Sequence, residues 1–281
     1  MQLVVVAVDG SAASLAAAKW AAIEASKRGA TLRVASSYEA PRYLYAGSLV
    51  PPENFFEDLH EEAEKVAKEA AESVKDIVTA EVTVTEGNPI DMLLEMSKEA
   101  TMIVMGTRGR GEFKGAMLGS VSAAVVSHAT CPVVVIRDDV PFNEDGPIVV
   151  GVDGSEISDR AVDVAFEEAE ERNVPVLAVH TWADVQFPVS EEHWRDIEEE
   201  ERNLLMSRIE NHVKDYPQVK VETLISRERP TVALSQAAKD AQLLIVGSHG
   251  RGGFRGMLLG STSRALLQDT PCPMMVVRPQ H

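Results

Sequence analysis

The sequence predicts an α/β protein built as two tandem doubly wound domains, and three observations predict it. The chain repeats itself at a domain-sized offset: residues 5–14 (VVAVDGSAAS) match 149–158 (VVGVDGSEIS), 105–122 match 246–263, and 129–137 (ATCPVVVIR) match 270–278 (TPCPMMVVR). Within each copy, short β-branched runs alternate with longer helical patterns, the signature of parallel strands joined by crossover helices. The length of 281 residues suits two domains at about 100–200 residues each. The first domain is expected over 1–138 and the second over 148–281. The polar 139–147 stretch between them carries two prolines and reads as a linker.

The elements follow in order. Leu3–Val8 is a continuous apolar run suited to a strand buried on both faces. Ser11 stands ready to cap an Ala-rich helix that ends at Gly29, and Thr31–Ser36 is the next strand. A long acidic helix is predicted over 53–78, because Leu59, Ala63, Val66, Ala70, Val74 and Ile77 recur every three or four residues. Glu81–Thr85 is the third strand, and Asn88-Pro89 pairs a cap with a first-turn proline to open a third helix. Met102–Met105, a helix over Ser120–Ser127 and the strand Val133–Ile136 complete the copy. The second copy places strands near 148–152, 175–180, 219–225, 242–246 and 274–277.

Composition narrows the function classes. Apolar residues make up 45% and charged residues 25%, the balance of a soluble globular protein. Forty-four acids against 27 bases leave a formal charge of −17, which argues against nucleic acid as a partner, since that affinity comes from neutralising phosphates. It equally argues against an anionic membrane surface. The segments 53–76 and 184–210 each hold nine acids and three bases, and such runs read as solvated helix faces. The opening MQLVVVAVDG lacks the basic region and apolar length of a signal peptide. The uncharged stretch 116–136 is too broken by Gly119, Pro132 and its serines to span a bilayer. A cytoplasmic location is expected. Cys131 and Cys272 enter equivalent strands and read as small buried hydrophobes. His60, His128, His180, His193, His212 and His281 show no metal-ligand spacing. Trp20, Trp182 and Trp194 are too scattered to stack bases, although Trp182 and Tyr38 share a place after the second strand of each copy, at a cleft or in packing.

Ligands of open α/β sheets sit beyond the carboxyl ends of the strands. There each copy carries a loop of fixed spacing, Gly106-x2-Gly109-x9-Gly119-Ser120 and Gly247-x2-Gly250-x9-Gly260-Ser261. Its last glycine and serine open a helix whose free N–H groups favour anions, and Ser120, Ser122, Ser261 and Ser263 add hydroxyls. The first loop is net +2, with Arg108, Arg110 and Lys114 against Glu112. The second is net +2 from Arg251 and Arg255, with His249 beside them. In so acidic a chain these loops point to a polyphosphate, accompanied by a divalent cation. Asp9 and Asp153 end the first strand of each copy in identical Val-Asp-Gly-Ser contexts. Each acid can serve a ribose, base edge or cation, or simply cap the helix that follows. No Gly-x4-Gly-Lys-[Ser/Thr] occurs, which excludes a P-loop.

Taken together, the Asp at the end of the first strand, the spaced-glycine loop and the closing Cys-Pro-Val-Val-Val strand resemble the universal stress protein family. The resemblance covers essentially the whole chain, twice, as in the tandem-domain members, and both copies keep the loop that distinguishes ATP-binding members from the rest. It implies five-stranded parallel sheets of order 3-2-1-4-5 that bind ATP with Mg2+ or Mn2+. By position, Asp9 and Asp153 would face the nucleoside beside Ala7 and Gly151, and Ser37 and Thr181 would border the adenine. Gly106, Arg108, Gly109, Gly119, Ser120 and Ser122 would hold ribose and phosphates in the first copy. Gly247, His249, Gly250, Gly260, Ser261 and Ser263 would do so in the second, where His249 replaces Arg108. The resemblance further implies an intramolecular pseudo-dimer through paired fifth strands, with a homodimer of whole chains beyond that; which residues would hold the metal is left unassigned.

Three functions fit. The first is a nucleotide-binding stress-response regulator whose conformation or choice of protein partner depends on ATP. The second, a slow ATPase or nucleotidyl transferase, needs a base beside the γ-phosphate. The only loop carboxylate, Glu112, becomes Gly253 in the second copy, so at most weak hydrolysis is expected. The third is a protein-interaction scaffold.

Overall fold

The computed structural model describes residues 2–39, 54–109, 118–182, 191–251 and 258–279. The chain divides into two compact units, Met1–Asp139 and Val140–His281. Unit one runs β1 (Leu3–Ala7), α1 (Ala12–Arg28), β2 (Thr31–Tyr38), α2 (Phe55–Ser73), β3 (Ala80–Glu86), α3 (Pro89–Met96), β4 (Met102–Gly106), α4 (Ser120–His128) and β5 (Val133–Ile136). Unit two runs β6 (Ile148–Gly151), α5 (Glu156–Arg172), β7 (Val176–Thr181), α6 (Glu191–Asp215), β8 (Val221–Ser226), α7 (Pro230–Ala237), β9 (Leu243–Gly247), α8 (Ser261–Asp269) and β10 (Met274–Val277).

The strands of unit one lie in the order β3-β2-β1-β4-β5 and those of unit two in the order β8-β7-β6-β9-β10. Every pairing within a unit is parallel. The chain therefore reverses direction across each sheet beside β1 and β6, which opens a crevice at their carboxyl ends. The central strands are buried on both faces: Val4, Val5, Val6, Ile103, Val104 and Val133 are fully covered, as are Ile148, Val149, Val150, Leu244 and Ile245. Each such side chain contributes about 1.5–3 kcal/mol on burial.

The caps follow the sequence. Ser11 accepts from the Ser14 N–H at 3.2 Å, and Gly29 ends α1 in the left-handed region. In unit two Ser155 accepts from the Ser158 N–H at 3.2 Å, and Asn173 takes the left-handed position with φ 54°. Small residues line the buried side of α1, with Ala17, Ala18, Ala21, Ala22 and Ala25 all fully covered, so the helix lies close against its sheet. The apolar period read over 53–78 outlasts α2, which ends at Ser73. Val74 and Ile77 continue it in tightened turns, with the N–H of Ile77 donating to the Val74 carbonyl at 2.9 Å.

No described helix is long and apolar enough to cross a membrane. Cys131 and Cys272 are buried free thiols, and burial pushes each thiol up to about 12.

Candidate functional site

β1 delivers Asp9 to the crevice, and the turn that follows fixes it. Gly10 takes a positive φ of 81°, a conformation that suits glycine. The carboxylate Oδ1 of Asp9 then accepts from both the N–H and the hydroxyl of Ser11, at 3.0 and 2.6 Å. The helix cap is thus Ser11, and Asp9 stands two residues outside it, on the crevice wall. Unit two repeats the geometry: Asp153 Oδ1 accepts from the N–H and hydroxyl of Ser155 at 3.0 and 2.6 Å, and its Oδ2 accepts from the Arg251 N–H at 2.9 Å. Burial is the largest influence on Asp153 and raises its pKa. The donors from Ser155, Arg251 and Ser158 together outweigh it and hold the carboxyl below the ordinary range.

The glycines divide by what they touch. A Cβ on Gly109 would run into Asp9 Oδ2, and one on Gly250 into Asp153 Oδ2, so these two let the loop close over the acid. A Cβ on Gly106 would come within 2.8 Å of Ala13, and one on Gly247 within 2.6 Å of Ile157 Cγ2. These glycines therefore have a packing role where α1 and α5 cross their sheets. Gly119 and Gly260 are N-caps with no side-chain cap bond, so the first turns of α4 and α8 keep free N–H groups facing the crevice. The Ser122 hydroxyl donates to the Gly106 carbonyl at 2.8 Å, and Ser263 donates to Gly247 at 2.7 Å. Each bond pins a helix start to the end of the preceding strand. Ser120 and Ser261 stay exposed at the same helix starts, as do Arg108 and Arg251 on the loops.

One cavity of about 730 Å³ in unit one is lined by all nine residues predicted there: Ala7, Asp9, Ser37, Gly106, Arg108, Gly109, Gly119, Ser120 and Ser122. A second, of about 340 Å³, is lined by Gly151, Asp153, Thr181, Gly247, His249, Gly250, Gly260, Ser261 and Ser263. Arg110, Glu112, Lys114, Gly253 and Arg255 lie outside the described residues. Sequence reasoning missed the apolar walls. Pro89, Met92, Leu93 and Met105 flank the first cavity, Val179, Pro230, Leu234 and Val246 the second, and Glu39 and His180 also reach them. The fold supplies these residues from α3, α7 and neighbouring strands, and the predicted first helical position, Pro89, was the one signal in the sequence. Tyr38 and Trp182 are absent from both described linings; Tyr38 packs edge-on against His60, with ring centroids 5.3 Å apart. No group of three His, Cys, Asp or Glu that could hold a metal ion occurs among the described residues.

The model of the universal stress protein family matches residues 1–137 and again 146–278. The chain belongs to the universal stress protein family. A universal stress protein of Mycolicibacterium smegmatis is 38% identical over 287 residues, covering 99% of this chain and 97% of that protein. One from Mycobacterium tuberculosis is 37% identical over 302 residues, covering 98% and 94%. Among solved structures, a universal stress protein of Archaeoglobus fulgidus superposes with a TM-score of 0.73 at 22% identity, covering 99% of this chain and 98% of that one. These alignments span both units of this chain, and the likeness in structure shows the fold.

Proposed function

We propose that this universal stress protein is an ATP-binding regulator of the stress response, which acts through nucleotide-dependent conformation or partner binding. The observation that carries this reading is the division of the first cavity. Its apolar wall of Pro89, Met92, Leu93 and Met105 suits the faces of a base, Asp9 suits ribose hydroxyls, and the uncapped start of α4 with Ser120 and Arg108 suits phosphates. A helix start alone is worth about 0.3–1 kcal/mol to an anion at an exposed site, so phosphate binding calls on the loop as well. The donor set fits such a group. Asp9 and Glu39 are the described carboxylates of the first cavity, so Mg2+ or Mn2+ would be carried mainly by the phosphates, and Asp9 is the acid that would be at hand to support it.

Hydrolysis would ask for a general base with a lone pair aimed at its water or acceptor. Oδ1 of Asp153 accepts from both the N–H and the hydroxyl of Ser155, whereas Oδ2 accepts from the Arg251 N–H, so Oδ2 is where a base would have to act. A ligand that favours one of two conformations shifts their balance by its differential affinity, which is all that a regulator needs.

The direct test is to denature freshly purified protein and quantify released nucleotide by chromatography. Retained ATP is expected. Mostly ADP or AMP would favour the slow ATPase. An empty protein that also fails to bind added Mg-ATP would leave a protein-interaction scaffold.

A further inference from the structure

Resting on that nucleotide reading, we infer that the two cavities are graded: unit one takes a purine nucleoside triphosphate tightly, and Val179, His180 and Thr262 make unit two discriminate against it. The register equates the walls position by position. The N–H of Val8 donates to the Ala35 carbonyl and the N–H of Val152 donates to the Val179 carbonyl, each at 2.9 Å. Ala35 therefore corresponds to Val179, Ser36 to His180 and Ser37 to Thr181.

At each of these positions unit two carries the larger side chain, and its cavity is about 340 Å³ against about 730 Å³. His180 is 8% exposed. Its Nδ1 donates to the Val152 carbonyl at 2.6 Å, and its Nε2 lies 3.3 Å from Glu201 Oε2. The ring is thus held at both nitrogens and does not swing aside freely. The opposite wall changes character as well. Val121 of the first cavity becomes Thr262, Met105 becomes Val246, and Met92 becomes Ala233, which is buried and no longer among the lining residues. Leu234 keeps the place of Leu93 and Gly151 that of Ala7, so the narrowing falls on the β7 positions, Val179, His180 and Thr181. The first cavity keeps flexible methionines against the faces of a base, whereas the second offers a narrower slot with polar groups.

A single methylene in an apolar pocket changes binding by about ten- to two-hundredfold. Equilibrium dialysis of the whole chain against Mg-ATP should therefore show one tight site and a second weaker by at least about tenfold. The triple variant Val179→Ala, His180→Ser, Thr262→Val gives unit two the identities of unit one at those three positions. It should bring the second site within about threefold of the first. In the opposite direction, Ala35→Val alone should weaken the tight site by about tenfold, a readout that stands even where the triple variant folds poorly. Two equal sites in the unaltered chain, or an Ala35→Val variant that binds as before, would overturn the grading and leave the nucleotide reading intact. No ATP bound at either site would overturn the nucleotide reading itself.

Discussion

A larger residue at Gly109 or Gly250 would have to push aside the Oδ2 of Asp9 or of Asp153, carboxylates that are themselves held by hydrogen bonds. Gly109→Ala and Gly250→Ala should each destabilise the fold by about 1–3 kcal/mol through overpacking, read from urea unfolding midpoints; unchanged midpoints would mean that the loop does not close on the acid. The carboxylate itself titrates with a predictable sign. Asp153 is held below the ordinary carboxyl range, so the native chain releases its proton more readily than the unfolded chain. Its contribution is complete above the unfolded value of about 3.9 and is lost as pH falls through the lower native one. Asp153→Asn should therefore unfold at a lower urea concentration at pH 7 and lose less stability on acidification below about pH 4; parallel acid profiles for variant and parent would refute the assignment. The cysteines bear on the opposite limb. With both thiols buried and pushed up to about 12, neither should react with Ellman's reagent at pH 8 until the protein unfolds, and rapid labelling of the native chain would show that the strand entries open.

At the scale of elements, the two units share a device that neither composition nor periodicity reveals. Glu24 and Arg28 pair at 2.6 Å on α1 with side chains 2% and 6% exposed, and Glu168 and Arg172 pair at 2.9 Å on α5, equally buried. Arg172 continues to Gln242, whose amide donates to the carbonyls of Glu144 and Gly146. This chain of contacts fastens α5 to the segment that leads into β6. Removing one member of a buried pair strands the other's charge at a cost of about 3–5 kcal/mol. Glu168→Ala should cost that much in thermal or urea unfolding, and a loss below 1 kcal/mol would mean that water reaches Arg172. The sequence did not disclose these pairs, since a Glu and an Arg four apart on a helix read as an ordinary exposed pair until the sheet covers them. Strands and caps were legible because their signals are local: β-branched runs, Ser11, Gly29 and Asn88-Pro89. Asn88 does accept from the Ile90 N–H at 2.8 Å, while its counterpart Arg229 makes no side-chain cap. The glycine, acid and serine positions of the crevice were legible for the same reason. The methionine wall of α3 and β4 was not, because those side chains converge only after the chain has crossed the sheet twice. His180 stayed hidden behind a position occupied by serine in the first copy.

Charge governs the molecule as a whole. Two acidic segments account for twelve of the seventeen net negative charges, while each crevice loop is net +2. An approaching Mg-ATP, itself an anion, therefore meets repulsion from the chain at large and attraction from the loop at close range. Which one it feels depends on the screening length, about 30 Å at 0.01 M salt and about 8 Å at 0.15 M. At low salt the nucleotide responds to the full −17, whereas near physiological salt only the nearby loop remains in view. The association rate should accordingly rise as salt increases from about 0.01 to 0.15 M and then level off, which is the reverse of a ligand steered by its target's net charge. Stopped-flow fluorescence with a labelled ATP analogue measures this directly. A rate that falls steadily with salt would mean that the cationic loops dominate at every distance and that the acidic helices face away from the approach path. Neutralising Glu61, Glu62 and Glu69 on α2 tells the two apart, since it should raise the low-salt rate only if the repulsion acts on the ligand.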